Sequence, residues 1–132
     1  MKAINVENNA ICTVGDHNYL WGLFLLIASM RASGMDEPVI IGTKGFSDRD
    51  RRVLEQFGGV AFLNLDHADH SLTCHKAEVM LAADSDYVTW ADSDALFTGN
   101  CSALLVPPDA AQIHVRRRDA AEMGLAFPPP YD

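Results

Sequence analysis

The sequence predicts an α/β fold: a Rossmann-like, mainly parallel sheet with helices on both faces. Two observations carry this expectation. Short apolar runs of strand length alternate with longer helical runs in the order β-α-β-α-β-α-β, the pattern of parallel strands joined by crossover helices. The fourth apolar run, Tyr87-Val88-Thr89-Trp90-Ala91, then leads directly into Asp92-Ser93-Asp94, and in open α/β sheets ligands bind outside the carboxyl ends of strands.

In chain order, Ala10–Val14 is the first strand, ended by Gly15-Asp16, with Asp16 placed to cap the next helix. That helix, from Asn18 to Ser33, is closed by Gly34. It is apolar nearly all round, so it is expected to be covered on more than one side, with Trp21 in the core. Pro38–Thr43 is the second strand. Ser47 caps a helix from Asp48 to Phe57, whose Val53, Leu54 and Phe57 face inward and which Gly58-Gly59 stops. Val60–Leu65 is the third strand, and a polar loop, Asp66–Ser71, leads to a helix over Thr73–Ala83 with Ala77, Met80 and Leu81 inward. The fourth strand reads as buried, with Trp90 in the core. A helical turn at Ser102–Leu105 and a fifth strand at Ala111–Val115 complete the order.

Size and charge narrow the function. At 132 residues the chain is one domain with a real core, and 48% hydrophobic against 21% charged residues is an ordinary globular balance. A net charge of -8 argues against a nucleic-acid or anionic-membrane surface, which need a positive field. The basic run Arg116-Arg117-Arg118 reads as a solvated strand end. The 3 cysteines are scattered and odd in number, which implies no disulfide framework and fits a cytoplasmic protein. The apolar stretch Tyr19–Met30 is too short to span a bilayer. It leaves a surface patch that favours a homo-oligomer.

The chemistry concentrates at Asp92 and Asp94. Two carboxylates at a strand end are costly unless a positive group sits beside them. Hard oxygen ligands suit Mg²⁺ or Mn²⁺, which usually arrive with substrate phosphates. On spacing alone the triplet reads equally as an acidic turn in which one aspartate caps a short helix. Topology adds one expectation: Val14-Gly15-Asp16 and Asp92–Asp94 should share a rim of the sheet.

At these residues the sequence resembles the GT-A-fold glycosyltransferases, in particular the glycogenin-like family that includes bacterial lipopolysaccharide glycosyltransferases. The resemblance rests on CTVGDHNYLWGLFLLIASMRASG, on TCHKAEVMLAADSDYVTWADSDALF and on FTGNCSALL, and it covers Ile11 to Leu105. It implies a nucleotide-sugar donor, usually a UDP-sugar, together with Mn²⁺ or Mg²⁺. By position, Asp92 and Asp94 match the motif's two carboxylates; the resemblance implies that Asp94 touches the metal directly and that Asp92 reaches the metal or the ribose, with Ser93 between them in the donor site. Thr13, Asp16 and Tyr19 match the block that holds base and ribose. Lys76 matches a basic residue near the phosphates or the motif carboxylates. The family carries a further half that supplies a third metal ligand, often a histidine, and most of the acceptor site. The expectation is that this half is absent, that residues 1–132 form a single nucleotide-sugar-binding domain, and that His114 is not the missing ligand. The acceptor stays unspecified.

Three other readings compete. His67, His70, Cys74 and His75 lie close in sequence, but zinc wants well-spaced ligands and there is no second pair elsewhere. A haloacid-dehalogenase-type phosphatase also places Asp-x-Asp after an apolar strand, but after the first strand and with Thr or Val where this chain has Leu96. A nucleotide- or metal-binding module without turnover, or an inactive relic of a glycosyltransferase, is the non-enzyme alternative.

Overall fold

The strands β1 (Asn9–Asp16), β2 (Val39–Lys44), β3 (Val60–Asn64) and β4 (Tyr87–Trp90) lie side by side in one 4-stranded parallel sheet, in the order β3-β2-β1-β4. The computed structural model describes residues 8–106. The expected fifth strand with His114, and the basic run Arg116–Arg118, lie outside the described residues. Because β1 pairs with both β2 and β4, the end of β1 sits between the other two at the carboxyl rim. Asp16 stands opposite Lys44 and Cys12 opposite Trp90, and the Ala91 N–H extends the β4 pairing to the Cys12 carbonyl at 3.0 Å.

Strand alternation sorts the side chains into two cores. Ile11, Val39 and Ile41 face α1 (Leu20–Ala32) and α2 (Asp48–Glu55), where they pack with Leu23, Leu26, Ile27, Met30 and Leu54. Cys12 and Val14 face the other way, toward α3 (Lys76–Leu81), where Leu65, Ala68 and Val79 complete a smaller cluster. Burial pushes the Cys12 thiol up from 9.0 to about 11, so it behaves as a small apolar group rather than a thiolate. The last helix, α4 (Ser102–Leu105), is a single turn.

The helix boundaries reflect local chemistry. Asp16 accepts from the Asn18 N–H at 2.9 Å and so caps a single 3-10 turn, His17–Tyr19, that leads into α1. Gly34 closes α1 with φ of 77°, a conformation that favours glycine. Ser47 forms a complete capping box on α2: its hydroxyl accepts from the Asp50 N–H, and the Asp50 carboxylate accepts from the Ser47 N–H at 3.0 Å. That backbone N–H, with smaller contributions from the His17 imidazole and the Ser47 hydroxyl, holds the Asp50 carboxyl below its ordinary value against the opposing effect of burial. Arg31 ties the end of α1 to its surroundings by donating to the carbonyls of Met35, Glu37 and Gly58.

Three expectations are corrected. The α1 helix is covered by the sheet, by α2 and by the segment after β4, where Ser29 Oγ accepts from the Phe97 N–H at 3.0 Å, but Trp21 is 70% exposed rather than in the core. Its ring leans edge-on against Phe24 and borders a hollow shared with Asp50 and Val53 of α2. On α3 the fully buried residue is Val79, whereas Leu81 is 86% exposed. Ala77 is exposed as well: Ala77 and Leu81 each lie two residues from Val79, about 200° around the helix, and so point away from the sheet. Finally, β4 is half-buried along its length, because it is the outermost strand of the described sheet.

Candidate donor and metal site

The carboxyl rim opens into a cleft of about 690 Å³ bordered by the ends of β1, β2 and β4 and by the segment leading into α3. That volume falls within the range of small-molecule sites. Strand parity decides which side chains reach it. Val14 and Asp16 of β1, Lys44 of β2 and Trp90 of β4 share the face that carries α3, and all border the cleft. Thr13 has the opposite parity. It is fully buried with Ile11 on the α1 side, and its hydroxyl has no hydrogen-bond partner there. Thr13, expected in the site, therefore does not border the cleft, a consequence of the period of two along the strand.

The other expected residues meet. Asp16, Tyr19, Lys76, Asp92, Ser93 and Asp94 all border this cleft. Tyr19, at the end of the 3-10 turn, is 54% exposed and presents its ring to solvent. Beyond β4 the chain folds into a tight turn, with the Ala95 N–H donating to the Asp92 carbonyl at 2.9 Å. Neither aspartate caps a helix. The turn ends strand alternation at Ser93-Asp94 and sets the triplet across the mouth of the cleft.

The Asp92 carboxylate has two neighbours. The Trp90 indole N–H donates to its Oδ1 at 2.9 Å, and Lys76 Nζ stands 3.8 Å from the same oxygen and 4.9 Å from the centre of the Trp90 ring. Trp90, expected in the core, is therefore a wall of the cleft that orients Asp92 and faces the lysine cation. The Lys76–Asp92 pair is long and both partners are largely exposed, so it is worth under about 1 kcal/mol and leaves the ammonium able to turn to another anion.

One glycine holds this arrangement against the core. A Cβ added at Gly22 of α1 would stand 2.6 Å from the Ser93 carbonyl oxygen. The helix thus reaches the acidic turn only because residue 22 has no side chain. Sequence reasoning passed over Gly22, as it did Lys44 and the wall segment His70–Thr73.

Asp92 and Asp94 fit one mode of metal binding and not another. Among the described residues no group of three or more His, Cys, Asp or Glu side chains is arranged to cage a metal. Two carboxylates on an open rim fit Mg²⁺ or Mn²⁺ completed by substrate phosphates and water. In the histidine-rich segment, His75 Nδ1 lies 2.8 Å from one Glu78 oxygen and His67 Nε2 lies 3.9 Å from the other.

No protein-family profile and no curated protein matches the chain. Solved structures do. A galactosyltransferase, LgtC, solved with donor and acceptor sugar analogues, superposes with a TM-score of 0.59 at 22% identity, over 72% of this chain and 41% of its own. The fold is that of the GT-A glycosyltransferases. The bifunctional glycosyltransferase WbbM matches 81% of this chain with a TM-score of 0.58 at 17% identity, and this covers 22% of WbbM. The glycosyltransferase GlyE of Streptococcus pneumoniae TIGR4 matches 74% with a TM-score of 0.56 at 17% identity, over 26% of its length. This GT-A-fold chain thus spans less than half of each of these structures. Among its described residues no helix is long and apolar enough to cross a membrane.

Proposed function

We propose that the cleft binds a nucleotide-sugar donor, a UDP-sugar, with Mn²⁺ or Mg²⁺ held by Asp92 and Asp94, and that this domain serves glycosyl transfer. The observation that carries the reading is the meeting, in one cleft, of an acidic turn, a loosely held lysine and an exposed tyrosine. When bound, the ion supplies Lewis-acid stabilisation of the charge that develops on the departing diphosphate. Lys76 supplies a second positive charge on the same side, and its weak pairing with Asp92 lets it turn to a phosphate oxygen. Trp90 fixes the Asp92 carboxylate through its indole N–H. Tyr19 offers an aromatic face for the base, and Asp16 a carboxylate for ribose hydroxyls. The identity of the nucleotide and of the metal rests on the family resemblance; the GT-A fold supports the reaction class.

Titration calorimetry with UDP and Mn²⁺ tests the reading. The wild-type chain is expected to bind UDP in a metal-dependent manner. A variant carrying Asp92→Asn and Asp94→Asn is expected to bind at least about tenfold more weakly, some 1.4 kcal/mol. Equal affinity in the two proteins overturns the assignment. Transfer is read separately, as sugar appearing on an acceptor above plain donor hydrolysis.

A further inference from the structure

We propose that Lys44 reads the nucleobase of the bound nucleotide and selects a base whose edge carries a carbonyl oxygen over one that carries an amino group. This rests on the donor-binding reading above and adds a specificity residue to it. Lys44 is the last residue of β2, borders the cleft and stands opposite Asp16 in the β1–β2 register. Along the rim the order is therefore Asp92–Asp94, then Asp16, then Lys44. Two strand spacings, about 10 Å, separate the ends of β4 and β2. A nucleotide whose diphosphate lies at Asp92 and Lys76, and whose ribose lies at Asp16, has its base at Lys44.

The side chain is held for such a contact. Although it faces Asp16 across the ladder, its ammonium donates to the Ala68 carbonyl at 2.5 Å, and Lys44 is half-buried. That bond uses one of three ammonium protons and fixes the head group against the segment that walls the cleft. An ammonium donates and cannot accept. Uracil presents an acceptor oxygen at position 4, where cytosine presents an amino group that can only donate. The ring is otherwise the same size, so the two bases isolate the contact from stacking on Tyr19.

The experiment compares affinities for UDP, CDP and pyrophosphate, each with Mn²⁺, in the wild-type chain and in Lys44→Met. The wild type is expected to prefer UDP to CDP by roughly tenfold or more, within the discrimination expected of a good base-edge contact. Lys44→Met is expected to lose that preference while pyrophosphate affinity stays unchanged, and Lys44→Arg to keep it. A UDP/CDP ratio unaltered in Lys44→Met overturns the inference, as does an equal fall in UDP and pyrophosphate binding, which would place Lys44 on the phosphates. So does a wild type that binds both nucleotides equally. A wild type that binds none of the three ligands overturns the donor reading itself and this inference with it. Asp66→Ala separates the cation from the loop, because Asp66 ties the same segment to the Gly45 N–H. It is expected to keep the UDP/CDP ratio, and loss of the ratio there would assign selectivity to loop placement and overturn the role of Lys44.

Discussion

The two faces of the sheet are built from the same strands and do different work. On the α1/α2 face Ile11, Val39 and Ile41 meet Leu23, Leu26, Ile27 and Leu54 in a continuous apolar layer. On the α3 face the apolar cluster is smaller, and beyond it the positions of the same parity turn polar: Val14 gives way to Asp16, and Gly42 to Lys44. The contrast shows how one period-two pattern divides labour. Where the strand positions are buried beneath helices up to Thr13 and Thr43, the face contributes stability. Where strand ends carry charge, the face opens into a site. A bulky residue at Gly42 would collide with Leu65, Val79 and Val14, so the core beneath the cleft is tightly filled although the cleft above it is open.

Substitutions on each side break this comparison in different ways. The largest effect is expected from Leu26→Ala, which empties a fully buried position on the α1 face. It should cost about 2–5 kcal/mol in denaturant unfolding, while the folded fraction binds UDP and Mn²⁺ with wild-type affinity. A matching loss of affinity would show that the two faces are not separable. Gly22→Ala tests the point where they touch. The added methyl meets the Ser93 carbonyl oxygen, so overpacking should cost about 1–3 kcal/mol. Here binding should weaken too, because the acidic turn must shift; unchanged calorimetry would refute that coupling. Ser47→Ala removes one half of the α2 capping box, outside the residues that border the cleft, and should cost about 1 kcal/mol with no effect on binding.

Asp50 gives this last prediction a pH signature. Its folded pKa lies below the ordinary carboxylate value, so it contributes stability that is present above that value and is lost as pH falls through the folded pKa. The stability gap between wild type and Asp50→Asn should therefore be full near neutral pH and close on the acid side. A gap that widens as pH falls would contradict the assigned cause.

Much of the fold was legible because its signals are local. Strand lengths, the capping box at Ser47, the glycine stops at Gly34 and Gly58-Gly59, and the alternation that implies parallel pairing all act within a few residues. The shared rim of Val14–Asp16 and Asp92–Asp94 came from that order, and the cleft joins them. What escaped the sequence was phase. Thr13 and Asp16 lie in one strand-end motif, yet alternation sends Thr13 under α1 and Asp16 into the cleft. Trp90 reads as core by its apolar character, but on the outermost described strand its indole N–H is left to orient a carboxylate. Leu81 reads as inward, but it lies two residues from the buried Val79 and so on the opposite side of its helix.

The sequence by itself determined the alternating α/β order, the strand that ends in Asp92-Ser93-Asp94 and the presence of Lys76 on the helix before it, because periodicity, caps and stops are properties of neighbours in the chain. Only the tertiary structure decided that Lys44 stands opposite Asp16, that Gly22 admits α1 against Ser93, and that Trp90 and Lys76 converge on one Asp92 oxygen. Those contacts depend on which strands pair, in which register and how closely a helix approaches a turn, and these are fixed by packing between segments far apart in sequence.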